Sequence, residues 1–127
     1  MFSHVTVGTN DLPKAGKFYD AIATPLGLKC HLALDSARGY GPAKGRPQLW
    51  VTMPLDRKPA TVGNGVTVGL EVNDRPTVDA FYKAAMGAGG KDEGLPGLRT
   101  HYHPNYYAAY VRDLDGNKLC VVCHKPA

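Results

Sequence analysis

The segment VTVGTNDLPKAGKFYDAIATPLG occupies residues 5–27, and VGLEVNDRPTVDAFYKAAMGAGG occupies residues 68–90. The two align without a gap at an offset of 63 residues, set by Asp11 and Asp74. At that offset Val5 meets Val68, Asn10 meets Asn73, Pro13 meets Pro76, Phe18 meets Phe81, Tyr19 meets Tyr82, Ala21 meets Ala84 and Gly27 meets Gly90. Self-similarity of this kind marks a duplicated structural unit. Its residues say which unit. Val5-Thr6-Val7 and Val66-Thr67-Val68 are β-branched and suit a strand. Asp11 and Asp74 can cap a helix N-terminus, with Pro13 and Pro76 just inside it. Ala15, Phe18, Tyr19 and Ile22 share one helical face, as do Val78, Phe81, Tyr82 and Ala85. Gly27 and Gly90 then end each unit, where a helix stop favours a residue that tolerates positive φ. The chain therefore reads as one strand–helix unit written twice.

Working outward, residues 2–8 alternate as a strand and residues 12–24 form the first helix. Leu28 to Leu34 reads as a strand with Leu28, Cys30, Leu32 and Leu34 on one face. Gly39-Tyr40-Gly41-Pro42 interrupts as a hairpin turn; its glycines do not fit a phosphate-binding fingerprint and no helix follows. Gln48 to Met53 is a further strand, and residues 54–64 are a polar linker. The second half repeats the order. Val66 to Val72 is a strand and residues 75–88 a helix. Lys91 to Asn105 is irregular, which in a compact chain indicates a binding loop or a concealed short strand. Tyr106 to Arg112 and Leu119 to His124 are strands about an Asp115-Gly116 turn. The expectation is an α+β fold of two βαβββ modules, residues 1–54 and 64–127, joined in a single domain spanning residues 1–127.

Composition narrows the function. A chain of 127 residues with 43% hydrophobic and 20% charged content can bury a core. No apolar run reaches membrane length and the N-terminus lacks a signal-peptide pattern, so a cytoplasmic protein with no membrane partner is expected. Three cysteines are too few for a disulfide framework and read as thiols. The net charge of +4 comes from Lys and Arg scattered singly. That argues against a nucleic-acid partner and suits a small anionic ligand equally well.

The duplicated order resembles the vicinal oxygen chelate superfamily, which includes glyoxalase I, extradiol dioxygenases, and fosfomycin and bleomycin resistance proteins. The resemblance covers the whole chain. It is carried most specifically by Ser3 to Gly8, Asp11-Leu12, Phe18-Tyr19, and the run from Tyr107 to Leu119 containing Asp113-Leu114-Asp115-Gly116-Asn117. In that family two modules complete a curved mixed sheet around a cup holding a divalent metal. The resemblance implies a first metal ligand at His4. It implies a second at Thr67, where the family has His or Gln, and a third at Cys120, where the family has a carboxylate. A fourth falls on the last strand of the first module, at Gln48 or Trp50, and parity allows either. Thr is a poor ligand when neutral, and hard octahedral sites favour oxygen and imidazole over thiolate. The expectation is thus no tightly bound cofactor, and at most a weak divalent metal at His4.

Other groups belong to the same expected cavity. His101 and His103 share a side by alternation and could bind a metal or an anion. Tyr106 shares parity with Tyr110 and opposes Tyr107. Cys120 and Cys123 resemble a redox pair, but odd spacing on a strand puts them on opposite faces. Glu71 shares parity with Thr67 and is the best candidate for a general base. Two functions follow. One is a binding protein that holds a small aromatic or anionic molecule in the cup with a degenerate metal site. The other is a metal-dependent glyoxalase-type lyase or isomerase, or a dioxygenase, acting on vicinal oxygens. The family resemblance also implies a homodimer.

Overall fold

A computed structural model describes all 127 residues. The first module runs β1 (Val5–Gly8), α1 (Leu12–Leu26), β2 (Leu28–Ala33), β3 (Ala37–Pro42) and β4 (Leu49–Thr52). The second runs β5 (Val68–Glu71), α2 (Arg75–Gly87), β6 (Lys91–Leu98), β7 (Tyr107–Arg112) and β8 (Lys118–Cys123). This is the duplicated βαβββ order, an α+β fold. Each module forms a mixed four-stranded sheet, ordered β1-β4-β3-β2 and β5-β8-β7-β6. The first strand of each pairs parallel with the last, and the other pairs are antiparallel. The helix supplies the crossover that a parallel pair needs. No helix is long and apolar enough to cross a membrane.

The caps form as the repeat implies. Asp11 Oδ1 accepts from the Lys14 N–H at 3.1 Å, and Asp74 Oδ1 from the Thr77 N–H at 2.9 Å. Each bond satisfies an orphan donor and contributes about 1 kcal/mol. The two glycines at the unit ends, however, have different work. Gly27 is left-handed, with φ of +67°, and closes α1. Gly90 has no positive φ; that conformation belongs to Gly89. A side chain at Gly90 would meet the Phe18 ring at 3.0 Å and the Ala85 carbonyl at 2.8 Å. Gly90 is therefore a close-packing position between the modules.

The stretch read as a hairpin turn is a strand, and the irregular stretch after α2 holds the concealed strand of its two readings. Residues 39–42 belong to β3, where Tyr40 is buried and pairs with Leu49. Neighbouring strands supply the hydrogen bonds, so glycine's poor strand propensity is overridden. Residues 91–98 form β6, which carries register shifts around Gly94 and Gly97 that erase its alternation. A shift between Cys30 and Leu32 likewise breaks the single face expected for β2. Cys30 lies opposite Tyr40 and packs on the core, while Leu32 lies opposite Gly39 and is exposed.

One core of 19 buried residues draws on both helices and both sheets, including Phe18, Tyr19, Ile22, Leu49, Val51, Val78, Phe81, Val111 and Val121. Burial of a large apolar side chain there stabilises by about 1.5–3 kcal/mol. The core takes one face of each sheet and leaves the other face for a site.

Candidate functional site

Strand alternation decides which side chains reach the helix-free faces. In β4, Leu49 and Val51 are buried in the core, so Gln48 and Trp50 both lie on the opposite face. Thr6 pairs with Trp50 and is exposed, and His4, which precedes β1, is exposed with its Nδ1 2.9 Å from Ser3 Oγ. The Trp50 indole rests on β3. A side chain at Gly39 would come within 2.8 Å of its ring, so glycine is what allows the indole to lie there. In β5, Val68 is buried, and Thr67 and Glu71 are exposed on the other face. Gly69 pairs with Cys120 and Glu71 with Val122.

The densest grouping lies on the second sheet. Cys120, Ala108 and Val122 form a small apolar cluster separate from the main core, with Tyr106 and Tyr110 packed against it. Tyr106 Oη is 2.9 Å from Tyr110 Oη and 3.8 Å from Cys120 Sγ. Burial holds the Cys120 thiol above its ordinary pKa, although the two tyrosine hydroxyls partly counter it. Burial also raises both phenols. The guanidinium of Arg99 lies 5.6 Å from the Tyr110 ring centre and Lys118 Nζ lies 5.4 Å from it. Cys123, by contrast, belongs to the main core. The opposite orientation expected of the two thiols is what the strand shows.

Histidines close one end of this face. The Asn105 N–H donates to His103 Nδ1 at 3.0 Å, which leaves the ring proton of neutral His103 on Nε2. That Nε2 is 2.8 Å from His124 Nδ1, so it donates and His124 carries its own proton on Nε2. Tyr106 sits edge-on to both rings. His101 stands apart on a turn, its ring 4.2 Å from that of Tyr102. Strand alternation does not apply to residues 99–105, so the shared side expected of His101 and His103 has no strand to enforce it.

The structure thus brings Tyr106, His103 and Cys120 together and places His4, Gln48, Trp50, Thr67 and Glu71 on the open faces. Sequence reading left Tyr110, His124, Arg99 and Lys118 out of the site. For Tyr110 the signal was present, since it shares parity with Tyr106. Arg99 lies between β6 and β7, where no periodicity could place it. No three His, Cys, Asp or Glu side chains gather into a group that could hold a metal ion.

The family model described as Glyoxalase/Bleomycin resistance protein/Dioxygenase superfamily matches residues 1–121. A glyoxalase/bleomycin resistance protein from Albidiferax ferrireducens T118 is 41% identical over 99% of both chains, with a TM-score of 0.86. A glyoxalase/bleomycin resistance protein/dioxygenase family enzyme from Burkholderia phytofirmans PsJN is 20% identical over 98% of both chains, with a TM-score of 0.73. A lactoylglutathione lyase from Agrobacterium tumefaciens is 21% identical over 94% of this chain and 90% of its own, with a TM-score of 0.63. At those lower identities the likeness is one of fold. None of the curated proteins compared with the chain matches it.

Proposed function

The chain belongs to the glyoxalase/bleomycin resistance protein/dioxygenase superfamily, and from that premise we propose that it is a binding protein for a small aromatic, anionic molecule held in the cup. The observation that carries this reading is the face built by Tyr106, Tyr110 and Cys120 with Arg99 and Lys118 beside it. Aromatic rings offer a stacking surface, and two cations at its margin favour an acidic group. Small-molecule sites commonly combine an apolar lining with a few convergent polar groups.

The donor set argues against a tight metal at the family position. Thr67 offers a neutral hydroxyl. Cys120 is 3% exposed and must lose a proton that burial makes it hold. Of the expected positions only His4 and Gln48 offer conventional ligands, and stable sites need three or more converging donors. No step of the proposed function runs through a metal. The protein acts as a homodimer in the cytoplasm, as the family resemblance implies.

Calorimetric titration with a panel of aromatic carboxylates tests the proposal. Saturable binding by at least one member, weakened by Tyr106→Ala and by Lys118→Ala, is expected. Binding that ignores both substitutions would remove the cup from the account, and turnover of the bound compound would move the protein to the enzymes.

A further inference from the structure

One open cavity of the molecule lies away from the tyrosine face. It is an open cleft of about 870 Å³ between residues 54–59 of the linker and the carboxyl ends of β1 and β4. Its walls are held in place. Asn10 clamps the linker, since its Oδ1 accepts from the Ala60 N–H at 2.6 Å and its Nδ2 donates to the Ala60 carbonyl at 3.2 Å. The Thr9 N–H donates to the Thr52 carbonyl, and the Met53 N–H to that of Ser36. Arg57, whose N–H closes a turn on the Pro54 carbonyl, has a φ of +62°, rare for a residue with a side chain.

The lining has a consistent chemistry. Met53 and Leu55 bring apolar surface, and Leu55 is fully exposed. Thr9, Ser36 and Thr52 carry hydroxyls. Arg57 and Lys58 line the cleft and enter neither of the molecule's two ion pairs. No carboxylate lines it. Asp56, beside them in sequence, directs Oδ1 to the Lys58 N–H, and Asp11 faces Lys14. Two unpaired cations beside apolar surface select an anion with an apolar body.

We propose that this cleft is a second small-molecule site, separate from the cup, and that it takes a compact apolar molecule bearing a carboxylate or sulfonate. The apolar body lies against Met53 and Leu55 while Arg57 and Lys58 hold the acidic group. The proposal stands whether or not the cup binds anything.

The chain has three methionines, Met1, Met53 and Met86, so methyl-labelled methionine gives three resonances, one of them in the cleft. Titration with naphthalene-2-sulfonate is expected to shift the Met53 methyl saturably and leave that of Met86 in α2 in place. The double substitution Arg57→Ser with Lys58→Ser should weaken the effect about tenfold or more, with an unmoved Met86 methyl reporting an intact fold. A Met53 methyl that does not respond overturns the proposal. So does a response that survives the double substitution, which would place the probe elsewhere. Movement of Met53 with protein concentration alone would also overturn it, because the cleft would then be covered by a second copy.

Discussion

The hydroxyl of Tyr19 donates to Asp113 Oδ2 at 2.6 Å, joining α1 to the turn after β7 across 94 residues of chain. Both residues are buried. Asp113 also accepts from the Asp115 and Asn117 N–H groups and from Asn117 Nδ2. Asn117 Nδ2 donates in turn to the Gly8 carbonyl, and Asp115 accepts from the Asn10 N–H. Asp113 thus ties the second module's turn to the first module's helix, while Asn117 and Asp115 tie it to Gly8 at the end of β1 and to Asn10.

Tyr19→Phe removes one donor from a buried carboxylate and leaves the ring volume unchanged. Leaving a buried charged group short of a partner costs about 1–3 kcal/mol. The expected result is a lower urea midpoint with an unchanged slope. A substitution within about 0.3 kcal/mol of the parent, inside the range of ordinary surface changes, would show that water replaces the hydroxyl.

Alkali should expose the same contact. Burial, and then the Asp113 charge, raise the Tyr19 phenol well above its ordinary 10.0, and burial with the Asp20 hydrogen bond does so for Tyr40. Folded phenols that keep their protons while unfolded ones lose them make stability fully present below pH 10 and declining above it. Absorbance at the phenolate band should therefore show Tyr19 and Tyr40 ionising only together with unfolding. Early, reversible ionisation of all seven tyrosines in the folded protein would contradict this.

The thiols should separate by reactivity. Cys30 is partly exposed, while Cys120 and Cys123 are 3% and 1% exposed. Burial also keeps Cys120 protonated, and the thiolate is the reactive form. Iodoacetamide at neutral pH is expected to label Cys30 first, with Cys120 and Cys123 following only on unfolding, as read by peptide mass. Fast labelling of Cys120 would mean that its face opens readily.

The ligand positions can be tested by rebuilding them. Thr67→His with Cys120→Glu should create measurable nickel or zinc binding that the parent lacks, and His4→Ala should abolish it. Failure of the rebuilt protein to bind, while remaining folded by circular dichroism, would show that these strands do not bring the three positions to one point.

Assembly is the last expectation. β1, β2, β5 and β6 are sheet edges, and Met1, Phe2, Val66, Leu95 and Leu98 are exposed. Sedimentation should give twice the 13.6 kDa chain mass at tens of micromolar, about where a specific interface holds. A species at the chain mass would exclude the homodimer.

Local rules carried much of this fold. The caps at Asp11 and Asp74, the buried faces of both helices and the alternation of β7 and β8 follow from residues close in sequence, because helices and turns obey nearby chemistry. Alternation also gave Tyr106 and Tyr110 a common side, while only the β7–β8 register, which sets Tyr110 opposite Cys120, brings the thiol to that face. The strands β3 and β6 were hidden, since glycine and proline signal turns locally and only neighbouring strands make them extended. The repeat itself shows the boundary best. Tyr19 and Tyr82 occupy the same place in the two units, yet Tyr19 reaches Asp113 in the other module and Tyr82 reaches Asp92 in its own. The Phe-Tyr pair that the two units share cannot choose between them. The packing of α1 onto the second module buries Tyr19 and leaves Tyr82 half-buried, and a buried hydroxyl must find its partner wherever the fold provides one.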